Sequence, residues 1–326
     1  MNRAVQILLT RVVLLGGFAC GMVWAQDQPQ ASRTVTEVHN ATGAQSPARV
    51  IETHRQDDGR TVETRIVEVP SINGGYEPIS ETEQETIRID ANTVRVVRRW
   101  FSPGAGDRQP FQVTEEERRT EPGGRERVVR STSNLNVGGR WQVLERDIEE
   151  TVSTAADTRE TKKTVLWVVA GSLVPVQQSV EIEHRKGNLV EVQRKLLTPN
   201  GSGNFQIFEV QETVATQTKD GQITEEKTYS TYVPGRASDT HLHLVQQRSM
   251  STTTASDGSA RTEQQVQQVN PGAPEAGLRA TSVVIEVSQP LGRLRTETHK
   301  EVRVLDVSGN FPLVWVTDSR ETKEID

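Results

Sequence analysis

The segment SDTHLHL at 238–244 contains the side chains best suited to hold a metal ion. On a β-strand, Asp239, His241 and His243 would share one face, because side chains alternate between the two faces of a strand. One carboxylate and two imidazoles suit Zn²⁺ or a similar divalent ion. The alternative is a polar row on the surface of a half-buried strand. That interpretation is favoured, because the sequence places no further ligand beside the pair of histidines.

The segment EIEHR at 181–185 carries a second candidate, the acid pair Glu181 and Glu183. Two carboxyls about 5–10 Å apart are what glycoside hydrolysis requires. Similar pairs recur along the chain, however, and a catalytic pair should be an exception within a repeat. These other pairs are Glu81/Glu83, Glu115/Glu117, Glu149/Glu150 and Glu225/Glu226. We therefore interpret them as solvated strand residues that face Arg and Lys on neighbouring strands.

Other catalytic chemistry has little support in the sequence. There is no Gly-x-Ser-x-Gly motif, and the glycine-rich PNGSGN at 199–204 lacks the following lysine of a phosphate-binding loop. The only cysteine is Cys20, which lies in the leader described next. We predict that the protein is not an enzyme and has no cofactor, apart from the hypothetical divalent metal.

The first 25 residues have the features of a cleaved signal peptide. Arg3 precedes an apolar stretch that ends in the small-residue pattern Val23-Trp24-Ala25. Cleavage there predicts an exported, periplasmic or extracellular protein without cysteine. A lipid anchor on Cys20 is a less favoured alternative. No transmembrane helix is expected after removal of the leader.

The charge of the chain argues against a nucleic-acid partner. The net charge is −6, and removal of Arg3 and Arg11 with the leader makes it more negative. Acidic and basic residues alternate throughout, so no basic patch is visible. Valine and threonine, which favour strands, dominate the remaining composition.

A repeat of about 34 residues organises the chain after the leader. Each unit has a loop rich in Gly, Asn and Pro, a strand that opens on an apolar marker, a tight Asp-Gly or Gly-Gly turn, and a returning strand. The markers are Tyr76, Phe111, Trp141, Leu173, Phe205, Leu242, Leu278 and Phe311. Because strands fade from apolar to polar away from the marker, we predict that these residues form a buried core at the roots of the hairpins, with the tips in water.

The two ends of the chain predict closure of the sheet. Residues 32–39 resemble a returning strand without its partner, and 311–326 resemble a first strand without its return. Their pairing would remove the exposed sheet edges. We predict an all-β meander of about nine hairpins and about 18 strands, closed into a ring, wide barrel or propeller-like assembly. The domains are a signal peptide (1–25), a linker with the closing strand (26–47) and one hairpin-repeat domain (48–326).

These observations favour an exported scaffold or binding surface whose partner is a protein, glycan or wall polymer of the envelope. A polysaccharide hydrolase or lyase is one alternative. An outer-membrane-associated β-barrel component is another. The strand number suits such a barrel, but the strands are apolar at one end only, whereas a lipid-facing belt needs apolar residues along the strand.

Overall fold

The chain folds as a single antiparallel β-sheet in a computed structural model that describes residues 31–42, 48–57, 59–102, 108–236, 240–306 and 309–325. The leader 1–25, with Cys20, therefore lies outside the described residues, as does Asp239. The strands are β1 (Ala31–Thr42), β2 (Arg49–Asp57), β3 (Arg60–Pro70), β4 (Tyr76–Arg88), β5 (Thr93–Phe101), β6 (Pro110–Thr120), β7 (Glu126–Leu135), β8 (Trp141–Ala155), β9 (Thr158–Val169), β10 (Ser172–Lys186), β11 (Leu189–Pro199), β12 (Phe205–Thr218), β13 (Gly221–Ser230), β14 (His243–Thr254), β15 (Ala260–Val269), β16 (Leu278–Pro290), β17 (Arg295–Val304) and β18 (Leu313–Ile325). In this part of the chain, the one helical element is a 3₁₀ turn at Pro274–Ala276, and no helix has the length and apolar character of a membrane span.

Each strand pairs with the next, and the last pairs with the first. Val35 of β1 lies opposite Ile51 of β2 on one side and Thr322 of β18 on the other. The result is a closed barrel of 18 strands. The predicted all-β meander and its closure by the terminal strands are confirmed, and the assembly is a barrel.

The two ends of the barrel differ in their connections. Odd-numbered strands end at what we call the loop end, where the longest connection runs from Ser230 to His243. Even-numbered strands end at the turn end, where tight turns such as Gly187-Asn188 join the strands and where β1 begins and β18 stops. Gly187 has φ +62°, a conformation that suits glycine in such a turn.

A β-bulge recurs near the loop end of every even-numbered strand from β4 to β18. In β12 it inserts Phe208, because Leu196 lies opposite Glu209 while Leu197 lies opposite Ile207. The register shifts in the other seven strands insert Ile79, Phe111, Leu144, Val176, Val245, Thr281 and Val314. A bulge reverses the alternation of side chains and increases strand twist. The sequence does not predict these bulges, because a bulge is defined only by the register with the partner strand.

The predicted buried core at the hairpin roots is wrong. Four markers are exposed: Tyr76 (37 %), Phe111 (45 %), Trp141 (45 %) and Leu242 (40 %). Leu173, Phe205, Leu278 and Phe311 are half-buried. The physical reason is the size of the barrel, since 18 strands enclose an aqueous channel rather than a packed interior.

Free hairpin tips are also absent from the described strands. Lys186, at the end of β10, pairs with Leu189, and His184 pairs with Thr158 on the other side. The strands thus pair with both neighbours almost to the turns. Stability comes from continuous ladders and from contacts between side chains on each wall.

Candidate functional site: the lumen and the outer collar

Registers of the strands assign side chains to an inner and an outer wall, because residues directly opposite each other share a face. A hollow lined by Glu209, Gln211, Glu226, Arg248 and further residues runs across five neighbouring strands, β12 to β16. Such a hollow requires a concave surface, so these residues face the lumen. Tracing their Cα partners around the ring assigns the remaining positions consistently.

The inner wall alternates polar side chains with valines and a few larger apolar residues such as Trp100 and Leu196. Pairs of threonines bridge neighbouring strands, as in Thr114–Thr132, Thr151–Thr161 and Thr252–Thr262. Eighteen strands spaced about 4.8 Å apart and tilted by about 40° give a circular barrel a mean radius of about 18 Å. The lumen is therefore wide and suited to water and hydrophilic solutes.

A network of buried charges lies on the inner wall across β6 to β9. Arg130 donates to Glu116 at 2.7 Å and lies 3.5 Å from Asp147. Lys163 lies 2.7 Å from the same Asp147 oxygen, and Arg118 also donates to Glu116. Glu116 and Asp147 are only 6 % and 7 % exposed. Burial acts to raise the pKa of Glu116, but the two guanidinium groups outweigh it and hold that pKa below its ordinary value.

The acid pair Glu181 and Glu183 lies on the adjacent inner wall, in a hollow of about 330 Å³ that Arg159 and Arg194 also line. Burial raises the pKa of Glu181. Glu183, by contrast, accepts a hydrogen bond from Arg185. Glycoside hydrolysis needs one proton-donating carboxyl and one available carboxylate. The raised pKa fits the first role, whereas the ion pair of Glu183 opposes the second.

The predicted metal ligands do not form the expected row on a strand. β14 begins only at His243, and the exposed His241 lies in the preceding connection. Asp239 is outside the described residues. Among the residues that are described, no group of three or more His, Cys, Asp or Glu side chains could hold a metal ion. A metal site at Asp239, His241 and His243 stays a prediction from the sequence.

The outer wall carries ion pairs over most of its height. Arg99 contacts Glu83 at 3.1 Å and Glu85 at 3.0 Å, and Arg60 contacts Glu85 at 2.7 Å. Further outer pairs are Arg33–Glu324, Arg49–Glu68, Arg95–Glu115, Arg125–Glu150, Lys162–Glu160 and Arg320–Glu297. Exposed pairs of this kind add little to stability. They identify this part of the wall as a surface that contacts water.

His299 on the outer wall predicts a small dependence of stability on pH. Its Nδ1 lies 2.6 Å from Asp318 and its Nε2 lies 3.4 Å from Glu301, so hydrogen bonding to Asp318, then to Glu301, raises its pKa. A raised histidine pKa stabilises the fold below the unfolded value of about 6.5, and this contribution disappears as pH rises through the folded value. We expect His299→Ala to lower the melting temperature more at pH 5.5 than at pH 9. Equal losses at both pH values in thermal melts would contradict this assignment.

A ring of apolar residues, which we call the collar, surrounds the outer wall at the loop end. It comprises Tyr76, Phe101, Trp141, Val143, Leu166, Val168, Leu173, Leu197, Phe205, Ile207, Val210, Tyr229, Leu244, Leu278, Leu313 and Val316. Two arginines stack on its rings: Arg49 lies 4.4 Å from the ring of Tyr76, and Arg108 lies 4.4 Å from that of Phe101. The collar is thus an apolar, partly aromatic surface in which Tyr76, Trp141 and Ile207 are exposed, while Phe101 and Val210 are buried.

The height of the collar is limited. It covers about five residues of each strand, which corresponds to about 12 Å along the axis of a barrel with strands tilted by about 40°. The apolar belt of a transmembrane β-barrel is about 25 Å tall, and an Arg or Lys at its middle costs about 2–4 kcal/mol. Below the collar, outward Arg99, Arg146 and Arg320 occupy that height. The outer wall therefore fits a membrane only at its loop end.

Comparison with known proteins gives relatives in structure alone. No family model and no curated protein sequence matches the chain. OccK5 (OpdH) of Pseudomonas aeruginosa is similar with a TM-score of 0.56 and 7 % identity, over 90 % of this chain and 97 % of that one. The outer membrane protein OpdK of the same organism gives 0.53 and 9 %, over 90 % and 98 %, and OccK2 (OpdF) in complex with glucuronate gives 0.53 and 8 %, over 91 % and 97 %. At these identities the likeness concerns the fold alone.

Proposed function

We propose that the protein is a tubular component of the bacterial cell envelope that offers a hydrated passage and attaches to a membrane through its collar. The observation that carries this proposal is the distribution of polarity on a closed barrel. The inner wall carries charged, amide and hydroxyl groups at every height, while the aromatic residues that the described strands place on the outer wall lie at the loop end. This function agrees with the alternative of an outer-membrane-associated barrel better than with a free secreted scaffold.

The lumen supports the passage. Its charged residues are neutralised within the wall, as in the pairs formed by Arg130 with Glu116 and by Lys163 with Asp147. Hydroxyl and amide groups occupy much of the remaining inner surface. Such a wall is wetted by water and presents no large field of one sign.

The collar supports attachment rather than full insertion. Exposed apolar patches of this extent mark interaction sites, and aromatic residues are enriched where proteins meet the membrane interface. A depth of about 12 Å reaches through the headgroup region into one leaflet, judged against the hydrocarbon core of about 30 Å. The ion-paired wall then extends from the membrane into water, with the start of β1 and the end of β18 at the far rim.

The proposal is tested by flotation of the mature protein, residues 26–326, with vesicles of phosphatidylethanolamine and phosphatidylglycerol. We expect the protein to float with the vesicles, and the double variant Trp141→Glu/Ile207→Glu to remain in the dense fraction. Both residues belong to the collar and are exposed, at 45 % and 40 %, so the substitutions should leave the fold intact. Circular dichroism confirms that point.

The matched control is Ile223→Glu, an outward residue of similar exposure (47 %) that lies near the turn end. It should float like the unmodified protein. The proposal fails if the unmodified protein does not bind vesicles, or if Ile223→Glu abolishes flotation as completely as the collar variant.

A further inference from the structure

A large hollow on the inner wall lies beneath the loop end, across β12 to β16. Its volume is about 830 Å³, within the range of pockets that hold a ligand of drug size. It differs from the rest of the lumen in chemistry. Where β6 to β11 present ladders of Arg, Lys and Glu, this hollow presents mainly amides and hydroxyls.

Four glutamines provide most of its hydrogen-bonding groups. Gln246, Gln264 and Gln268 come from β14 and β15, and Gln211 comes from β12. Gln268 donates to Gln246 at 2.8 Å, and Gln211 donates to Glu209 at 2.8 Å. An amide both donates and accepts, so each of these side chains retains hydrogen-bonding capacity directed into the hollow.

One buried donor in the hollow has no partner. The Nε of Arg248 is shielded from solvent and makes no hydrogen bond. Its nearest acid, Glu226, is 3.8 Å from Nη1, beyond hydrogen-bonding distance. Buried donors are normally satisfied, so the Arg248 guanidinium has unused hydrogen-bonding capacity beside the hollow.

The mouth of the hollow is fixed by a folded connection. Val233 is only 4 % exposed, and Gly235 lies so close to Pro271 that an added Cβ would be 2.0 Å from the carbonyl oxygen of that residue. Beside them, Tyr232 lines the hollow and is 61 % exposed, while its amide donates to the Ser230 hydroxyl at 3.1 Å. An aromatic residue therefore lines the hollow with its backbone held by the Ser230 hydroxyl.

We infer that this hollow is a binding subsite for an uncharged oligosaccharide segment. Sugar hydroxyls both donate and accept, as do the amides and hydroxyls of the wall, and an aromatic ring provides a surface for the apolar face of a sugar ring. Glu209 and Glu226 balance Arg248 and Arg279, so an acidic sugar would meet two carboxylates as well as two cations. The inference rests on the proposed function only in that solutes must enter the lumen.

Isothermal titration with maltotetraose, cellotetraose and chitotetraose tests the inference, with tri-galacturonic acid as the acidic comparison. We expect at least one neutral tetrasaccharide to bind more tightly than the acid. The double variant Gln264→Ala/Gln268→Ala should weaken that binding about tenfold, the sum of two ordinary hydrogen bonds.

β15 itself supplies the matched control, because Gln265 and Gln267 are on the same strand but face outward. Gln265→Ala/Gln267→Ala should change affinity less than twofold. Absence of binding by all three neutral sugars at millimolar concentration, tighter binding of the acid, or an equal effect of both double variants would overturn the inference. None of these outcomes affects vesicle flotation, so the proposed function is judged separately.

Discussion

Replacement of Val35 by proline is expected to open the barrel. Val35 lies in the middle of β1, opposite Thr322 of β18 and Ile51 of β2. Proline removes the backbone donor that one of these ladders requires and is tolerated within sheets essentially only at edges. Since β1 is the only link between β18 and β2, loss of its pairing exposes two long strand edges. Exposed edges pair with other chains.

Light scattering after gel filtration measures the outcome. The unmodified protein should elute at the size of the closed barrel. Val35→Pro should form larger assemblies and should have a lower melting temperature. Val35→Thr keeps the amide and a β-branched side chain, and it should behave like the unmodified protein. Retention of the original size and melting temperature by Val35→Pro would show that the seam does not hold the barrel closed.

Substitution of Glu116 by glutamine is expected to lower the free energy of unfolding by about 2 kcal/mol at pH 7. Removal of one partner of a buried ion pair costs about 3–5 kcal/mol, because the other charge is left without compensation. The loss of stability in Glu116→Gln should be smaller, because the side chains of Arg118 (61 % exposed) and Arg130 (36 %) reach water. Guanidinium-induced unfolding measures the difference.

The neighbouring Glu117 is the matched control. It follows Glu116 on β6 but faces outward and is exposed. Glu117→Gln should change stability by less than about 0.5 kcal/mol, as is usual for surface substitutions. Equal effects of the two variants would contradict the distinction between the walls.

The pH dependence provides a second check on Glu116. Because its folded pKa is lowered, its contribution is fully present above the unfolded value of about 4.5 and disappears as pH falls through the folded value. The difference between Glu116→Gln and the unmodified protein should therefore shrink below pH 4. A difference that persists at pH 2 would assign the effect to packing instead of charge.

The sequence predicts the architecture well because each hairpin is specified locally. Asp-Gly and Gly-Gly turns, strands rich in valine and threonine, and the unpaired strands at 32–39 and 311–326 are sufficient to predict a closed meander. The strand order follows, since each unit pairs with its sequence neighbour.

The assignment of side chains to walls could not be predicted in the same way. Both walls carry polar residues, so alternation along a strand such as β15 does not reveal which face is inside. The bulge at Phe208 also reverses the alternation of side chains along β12, and this reversal is visible only in the register with β11. The sequence therefore predicts Trp141 and Phe205 as core residues, whereas they lie on the outer wall, where Trp141 is exposed and Phe205 is half-buried.

The candidate sites were predicted even less completely. Glu181 and Glu183 do line one hollow, since their spacing is local. The amide-rich hollow draws its side chains from β12 to β16 and from the connections after β13 and β15, and no short motif records that combination.

The pairing of strands that are neighbours in sequence has a consequence for the diameter of the barrel. Apart from the seam, every ladder joins strands that are consecutive in the chain. Excision of one hairpin, such as 173–204, would remove two strands and still leave ends that can meet. Since the diameter of a barrel grows roughly in proportion to strand number, the radius would shrink by about one ninth. Duplication or loss of single hairpins would therefore produce a series of barrels that differ stepwise in width.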